Sequence, residues 1–162
     1  MWDSIETRIL IDGEGLHLSV KNGDDDWEAS VIAAFHSLSR CAARLRSLER
    51  DRTDSESEEL EARHRAFHFA LINASSRRWL LEFSSLLYDQ TERYRRPFLA
   101  GSELSYERDV HAEHEEIMDS TIARQAEKAA KLLAAHYRRT GDLIEEKLRQ
   151  SDAEDLSLAD PE

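Results

Sequence analysis

The stretch LEARHRAFHFAL, residues 60–71, sets Leu60, His64, Phe67, His68 and Leu71 at steps of four, three, one and three. Residues three and four apart share one side of an α-helix, so these five form a single face. The spacing predicts a helix whose apolar stripe carries two imidazoles one turn apart. They are either two solvated side chains in chance alignment or half of a metal site.

Outward from this stretch the chain reads as about six helices. Ile5, Ile9, Leu10, Leu16 and Val20 step at helical spacing until KNGDDD breaks the pattern, with Gly13 and Gly15 weakening the middle of the segment. Asp25 or Asp26 is expected to cap the next helix, striped by Trp27, Val31, Ala34, Phe35, Leu38 and Leu45. Thr53, Asp54 and Ser55 offer caps for the third. Trp79, Leu80, Phe83, Leu86, Leu87, Tyr94 and Phe98 outline a fourth, with its end expected near Pro97. After AGSELS come a fifth helix with Val110, His114, Ile117 and Met118, and a sixth with Leu132, Leu133, His136, Leu143 and Leu148. No segment alternates convincingly as a strand. The fold class expected is all-α, an antiparallel helical bundle over residues 1–150, followed by an acidic disordered tail over 151–162.

Composition agrees. The 162 residues suit one domain, and five Gly and two Pro leave long helices uninterrupted. The single cysteine, Cys41, rules out an internal disulfide framework and fits a reducing cytoplasm. No apolar run reaches the ~18 residues of a membrane span, and MWDSIETRIL lacks the pattern of a secretory leader, so no membrane partner is expected. A net charge of −12 removes general attraction to phosphate backbones.

His64, His68, His114 and His136 all fall within apolar stripes, which points four imidazoles from three helices into the interior. A single buried histidine ordinarily bonds a backbone carbonyl. Four together favour a metal site, for which imidazole suits Zn, Ni, Cu or Fe. Other templates fail. A zincin needs Glu where Arg65 stands. A ferritin-like di-iron site needs Glu three residues before each of two histidines, and Glu61 precedes His64 correctly, but His111 and Leu133 occupy the other positions. No serine or cysteine sits in a nucleophile elbow.

The combination of F-H at 67–68, E-H-x-x-I at 113–117 and a last-helix histidine at 136 resembles the FCD domain, the all-helical effector-binding half of FadR-type GntR transcription regulators. The likeness extends over roughly residues 3 to 148, and NGDDDWEA and RYRRPFL look nearest to its carbon-starvation-repressor branch. The resemblance implies a divalent metal on His64, His68, His114 and His136. Many members have Asp where this chain has His64. Four neutral ligands would keep the full 2+ charge and favour Zn or Ni over hard cations. It also implies a small mono- or dicarboxylate as effector, a homodimer, and DNA contact only through an N-terminal winged-helix domain absent from this chain.

A guanidinium would grip such a carboxylate bidentately. Arg93, Arg95 and Arg96 are the candidates, with Tyr88 seven residues before Arg95, the arginine expected to face inward. His36 is expected in the core, His17 and His111 on the surface. The expected role is therefore sensing rather than catalysis. Two alternatives stand beside it: a metal-dependent hydrolase of the DinB-like type, with Glu113 or Glu115 as base, and a metal-free structural bundle.

Overall fold

The computed structural model describes residues 1–48, 50–99 and 108–158. Among them are six α-helices: α1 Trp2–Asn22, α2 Asp25–Arg46, α3 Asp54–Ile72, α4 Arg78–Leu99, α5 Val110–Ile122 and α6 Ala126–Leu158, with a 3-10 turn at Asn73–Ser75 between α3 and α4. No strand occurs among the described residues, and none of these helices is long and apolar enough to cross a membrane. The break expected at AGSELS lies outside the described residues. Helix α6 runs on past position 150 to Leu158, into the stretch expected as a tail.

Pairings run antiparallel. Trp2 meets Glu145 and Arg138 meets Glu6 between α1 and α6, Arg8 meets Thr91 between α1 and α4, and Trp27 and Arg44 of α2 meet Ala70 and Glu59 of α3. Helix α1 is the hub, packing on α3, α4 and α6. Leu16, Val31, Phe67, Leu71, Ile117 and Leu133 are almost fully buried, each side chain contributing about 1.5–3 kcal/mol by leaving water.

Gly15 does not weaken α1; a Cβ there would stand 2.7 Å from Leu80, so its bareness lets α3 and α4 close on the hub. The cap of α2 lies one residue earlier than expected. Asp24, not Asp25 or Asp26, accepts from the Trp27 amide at 2.9 Å. Thr53 caps α3 in a reciprocal capping box with Glu56.

The inner face of α4 includes Ser84, Tyr88, Thr91 and Arg95, all buried, while Trp79, Phe83, Leu86 and Tyr94 are exposed. Leu80 and Leu81 still pack inward at its start, but from Ser84 onward the helix turns polar residues inward, because the interior beside it is lined with charge. His36 is exposed rather than in the core. His17 is largely exposed, as expected. His111 is partly buried, its ring centroid 5.4 Å from that of Phe35.

Candidate metal centre

The i, i+4 spacing on α3 stacks His64 on His68, with Nε2 atoms 3.1 Å apart. Helices α5 and α6 bring His114 and His136 against them, their Nε2 atoms 3.3 Å apart. One nitrogen from each ring lies within 4.8 Å of every other. Two nitrogens bound ~2.1 Å from one ion are ~3.0 Å apart in a right-angle arrangement and ~3.4 Å in a tetrahedral one. Both short separations have that size.

The surrounding hydrogen bonds favour one tautomer for three of the four rings. Tyr88 donates its hydroxyl proton to Glu61, so its oxygen can only accept from His64 Nδ1, 2.7 Å away. Tyr137 donates to Asp12 Oδ2 at 2.7 Å, so its oxygen accepts from His68 Nδ1 at 3.2 Å. His136 Nδ1 lies between Glu113 Oε2 at 2.9 Å, which can only accept, and Arg108 Nη2 at 3.0 Å, which is already given to Glu113 and to the His136 carbonyl, so the ring proton goes to Glu113. Three rings therefore hold their proton on Nδ1 and present a bare lone pair at Nε2. His64 and His68 face each other as two acceptors with no proton between them, a repulsive pair unless a cation stands within reach of both. The residues present fit a metal.

Charge supports this. Burial lowers the His64 pKa to about 4, with the Arg95 guanidinium adding to the effect. Burial lowers His136 to about 3, although Glu113 pulls the other way. His68 and His114 are driven well below the ordinary value by burial and by the neighbouring imidazoles. All four are neutral ligands at physiological pH. Burial raises the phenols of Tyr88 and Tyr137, which keeps both protonated as donors.

Arg95 faces inward as expected, bonded to Glu61 and to Tyr88. Burial would raise the Glu61 carboxyl, but the bond to His64 and the charge of Arg95 hold it below the usual range. Arg93 does not join the site; it is exposed and reaches Gln90 at 3.4 Å. Tyr88 is fully buried and acts on His64 rather than at an open surface.

Sequence reasoning missed Arg8, Asp12, Tyr137 and Arg108. Arg8 is buried between the rings of Tyr88 and Tyr137, its Cζ 4.5 and 4.2 Å from their centroids, and donates from Nε to Asp12 at 3.0 Å. The signal was available, since Ile5, Arg8, Asp12, Leu16 and Ser19 form one stripe with a charged i, i+4 pair in its middle. Arg108 bonds Glu113 and donates to the His136 carbonyl at 2.9 Å. The hydrolase reading therefore lacks its base. Glu113 is occupied by Arg108, His136 and Arg139, and Glu115 is exposed.

The cluster opens on a cavity of about 370 Å³ lined by Arg8, Arg95, His64, His114, His136 and Tyr137 among others. Two buried guanidinium atoms, Arg8 Nη2 and Arg95 Nε, have no hydrogen-bond partner among the described residues.

Comparison with known proteins agrees with this architecture. Residues 3–139 match the FCD domain. The chain is 41% identical over 140 residues to the uncharacterized HTH-type transcriptional regulator BphR of Paraburkholderia xenovorans, covering 84% of this chain and 53% of that protein. It is 30% identical over 136 residues to the HTH-type transcriptional repressor GlaR of Escherichia coli, covering 83% and 59%. A crystal structure of a GntR-family transcriptional regulator from Pseudomonas syringae superposes with a TM-score of 0.74 at 20% identity, covering 94% of this chain and 58% of that one. The chain spans a little over half the length of these curated relatives. With the match running through α1 to α6 and all four histidines inside it, the chain belongs to the FCD domain family.

Proposed function

We propose that this domain is the sensing half of a cytoplasmic GntR-type transcription regulator, holding a divalent metal and a small carboxylate that together govern DNA binding by a winged-helix partner domain. One observation carries it: Tyr88, Tyr137 and Glu113 hold His64, His68 and His136 in the tautomer that aims bare Nε2 atoms at one point. His64, His68, His114 and His136 would hold the ion, and an all-imidazole set favours Zn or Ni. The ion supplies a Lewis acid for a carboxylate oxygen. Arg8 and Arg95, each with a buried unpartnered nitrogen, supply the guanidinium grip. Arg93 has no part in it.

Such a ligand would touch α1, α3, α4, α5 and α6 together, and it shifts the regulator only by binding one arrangement of these helices better than another. The regulator works as a homodimer with a second copy on the outer face of α4. Trp79, Phe83 and Leu86 are exposed there at steps of four and three, and Gln90 and Arg93 continue the same seam. An antiparallel copy of α4 covers this apolar stripe.

Elemental analysis of the purified chain tests the reading. About one zinc or nickel per chain is expected, lost in His68→Ala/His114→Ala, with a thermal shift on adding C3 to C6 mono- or dicarboxylates. A metal-free protein whose stability ignores added zinc would leave only the structural-bundle alternative.

A further inference from the structure

The cavity extends well beyond the histidines. On α2 its wall runs from Phe35 through Leu38, Ser39 and Ala42 to Arg46, twelve residues or about 16 Å of helix. On α3 it runs from His64 back through Leu60 to Ser57 and Asp54. Phe35 marks the deep end, its ring centroid 5.8 Å from Phe67, which in turn lies 5.1 Å from His114. Arg46, Arg52 and Asp54 mark the outer end. The space is a channel along the bundle with three zones: cationic and metal-ligating at its base, apolar through its middle, charged at its mouth.

The middle zone is walled by Phe35 and Leu38 of α2, Leu60 of α3, Val110 of α5, and Leu143 and Ile144 of α6. A two- or three-carbon acid seated at the base would leave this zone filled with water against apolar side chains. At about 370 Å³ the cavity is in the range that accommodates drug-sized ligands. The guanidinium beside this zone, Arg108, is already paired with Glu113 and Thr140. A second carboxylate stripped of water there without a free partner is heavily penalised. On the α2 side Ser39 adds a buried hydroxyl with no partner among the described residues.

We infer that the effector is an amphipathic monocarboxylate, its acid group at the histidine–Arg8–Arg95 base and an aliphatic or aromatic body of about six to ten carbons along the channel. This rests on the sensor reading of the same site and specifies its ligand class. Selectivity follows from the walls: affinity rises with every buried methylene, and a polar far end is rejected.

The test is calorimetric titration of the zinc-loaded chain with butyrate, hexanoate, octanoate and 4-phenylbutyrate, and with suberate, which matches octanoate in length but ends in a second carboxylate. Each added methylene should tighten binding about three- to fourfold. Octanoate should exceed butyrate by at least thirtyfold and suberate by at least tenfold. Leu143→Asn should erase most of the octanoate advantage while leaving butyrate affinity within twofold, which also shows the variant is folded. Equal affinities for butyrate and octanoate, or suberate binding as well as octanoate, overturn the channel inference while leaving the carboxylate sensor intact. Failure of every acid to bind the zinc-loaded chain, butyrate included, overturns the sensor reading and this inference with it.

Discussion

Tyr137→Phe removes one oxygen atom and tests the tautomer logic at its most exposed assumption. The ring remains, and with it the stacking under Arg8, whose Cζ lies 4.2 Å from the Tyr137 centroid. What disappears is the donor to Asp12 and the acceptor that holds the His68 proton on Nδ1. His68 is then free to carry its proton on Nε2, where it cannot bind a metal. Loss of an outer partner of a metal-bound histidine costs about 10–100-fold in metal affinity. Asp12 keeps its bond from Arg8 but loses one buried hydrogen bond, about 1–3 kcal/mol. For a domain of this size that is roughly 2–12 °C in Tm. Competition against a chromophoric chelator gives the zinc Kd, and calorimetry of the metal-free protein gives the Tm. A fall in Tm with an unchanged zinc Kd would show that Tyr137 props the core without orienting a ligand, and the tautomer reasoning would fail at His68.

Three further outcomes follow from the same geometry. In the metal-free protein the His64 and His136 pKa values sit at about 4 and about 3, below the ordinary value of ~6.5, so the unfolded chain binds more protons between those limits. Their contribution is complete above about pH 6.5 and is lost as pH falls toward 4. His64 alone accounts for about 2 kcal/mol by pH 5, and a urea midpoint that fails to drop between pH 7.5 and 5 contradicts the burial of neutral imidazoles. Arg95→Gln removes a charged donor worth about 1.5–3 kcal/mol to a carboxylate, so butyrate should bind the zinc-loaded variant roughly 10–150-fold more weakly by calorimetry, and an unaltered Kd would remove Arg95 from the site. Leu86→Glu puts a charge at the middle of the exposed α4 seam and should convert dimer to monomer at micromolar concentration by sedimentation; a variant that stays dimeric places the interface elsewhere.

The helices were legible because few glycines and prolines interrupt a strong three-to-four period, and the histidines because each sits on an apolar stripe where a solvated side chain has no reason to be. Which side of α4 turns inward was not legible. Its apolar residues fall on more than one face, so their pattern did not say that Trp79, Phe83 and Leu86 lie outward. The interior beside α4 holds Arg8 and Glu61, so Tyr88, Thr91 and Arg95 turn toward them instead. The residues that orient the imidazoles were hidden for another reason. Tyr137 lies 69 positions from His68, and Tyr88 lies 24 from His64, so no local spacing betrays the pairing. Only Arg8 and Asp12 left a local trace, a charged pair inside the stripe of α1.

The charges around the four imidazoles make a final demand on the chemistry. Three guanidiniums held inside, Arg8, Arg95 and Arg108, meet three carboxylates, Asp12, Glu61 and Glu113, so this inner frame sums to zero with the histidines neutral, while Arg139, also bonded to Glu113, keeps its charge in water. A divalent ion on these ligands therefore leaves two positive charges in a largely buried place, where uncompensated charge is expensive. A carboxylate at the base of the channel cancels one of them and engages the spare nitrogens of Arg8 and Arg95. Metal and acid must then strengthen each other, and by linkage each tightens the other by the same factor, about 5–150-fold for a typical coupling. Zinc Kd measured with and without saturating butyrate reads this directly. His64→Asp sharpens the test, because its carboxylate supplies beforehand one of the negative charges that the ligand would bring, so the coupling should shrink in that variant. Equal zinc affinity in the presence and absence of acid would mean that the two never share the site.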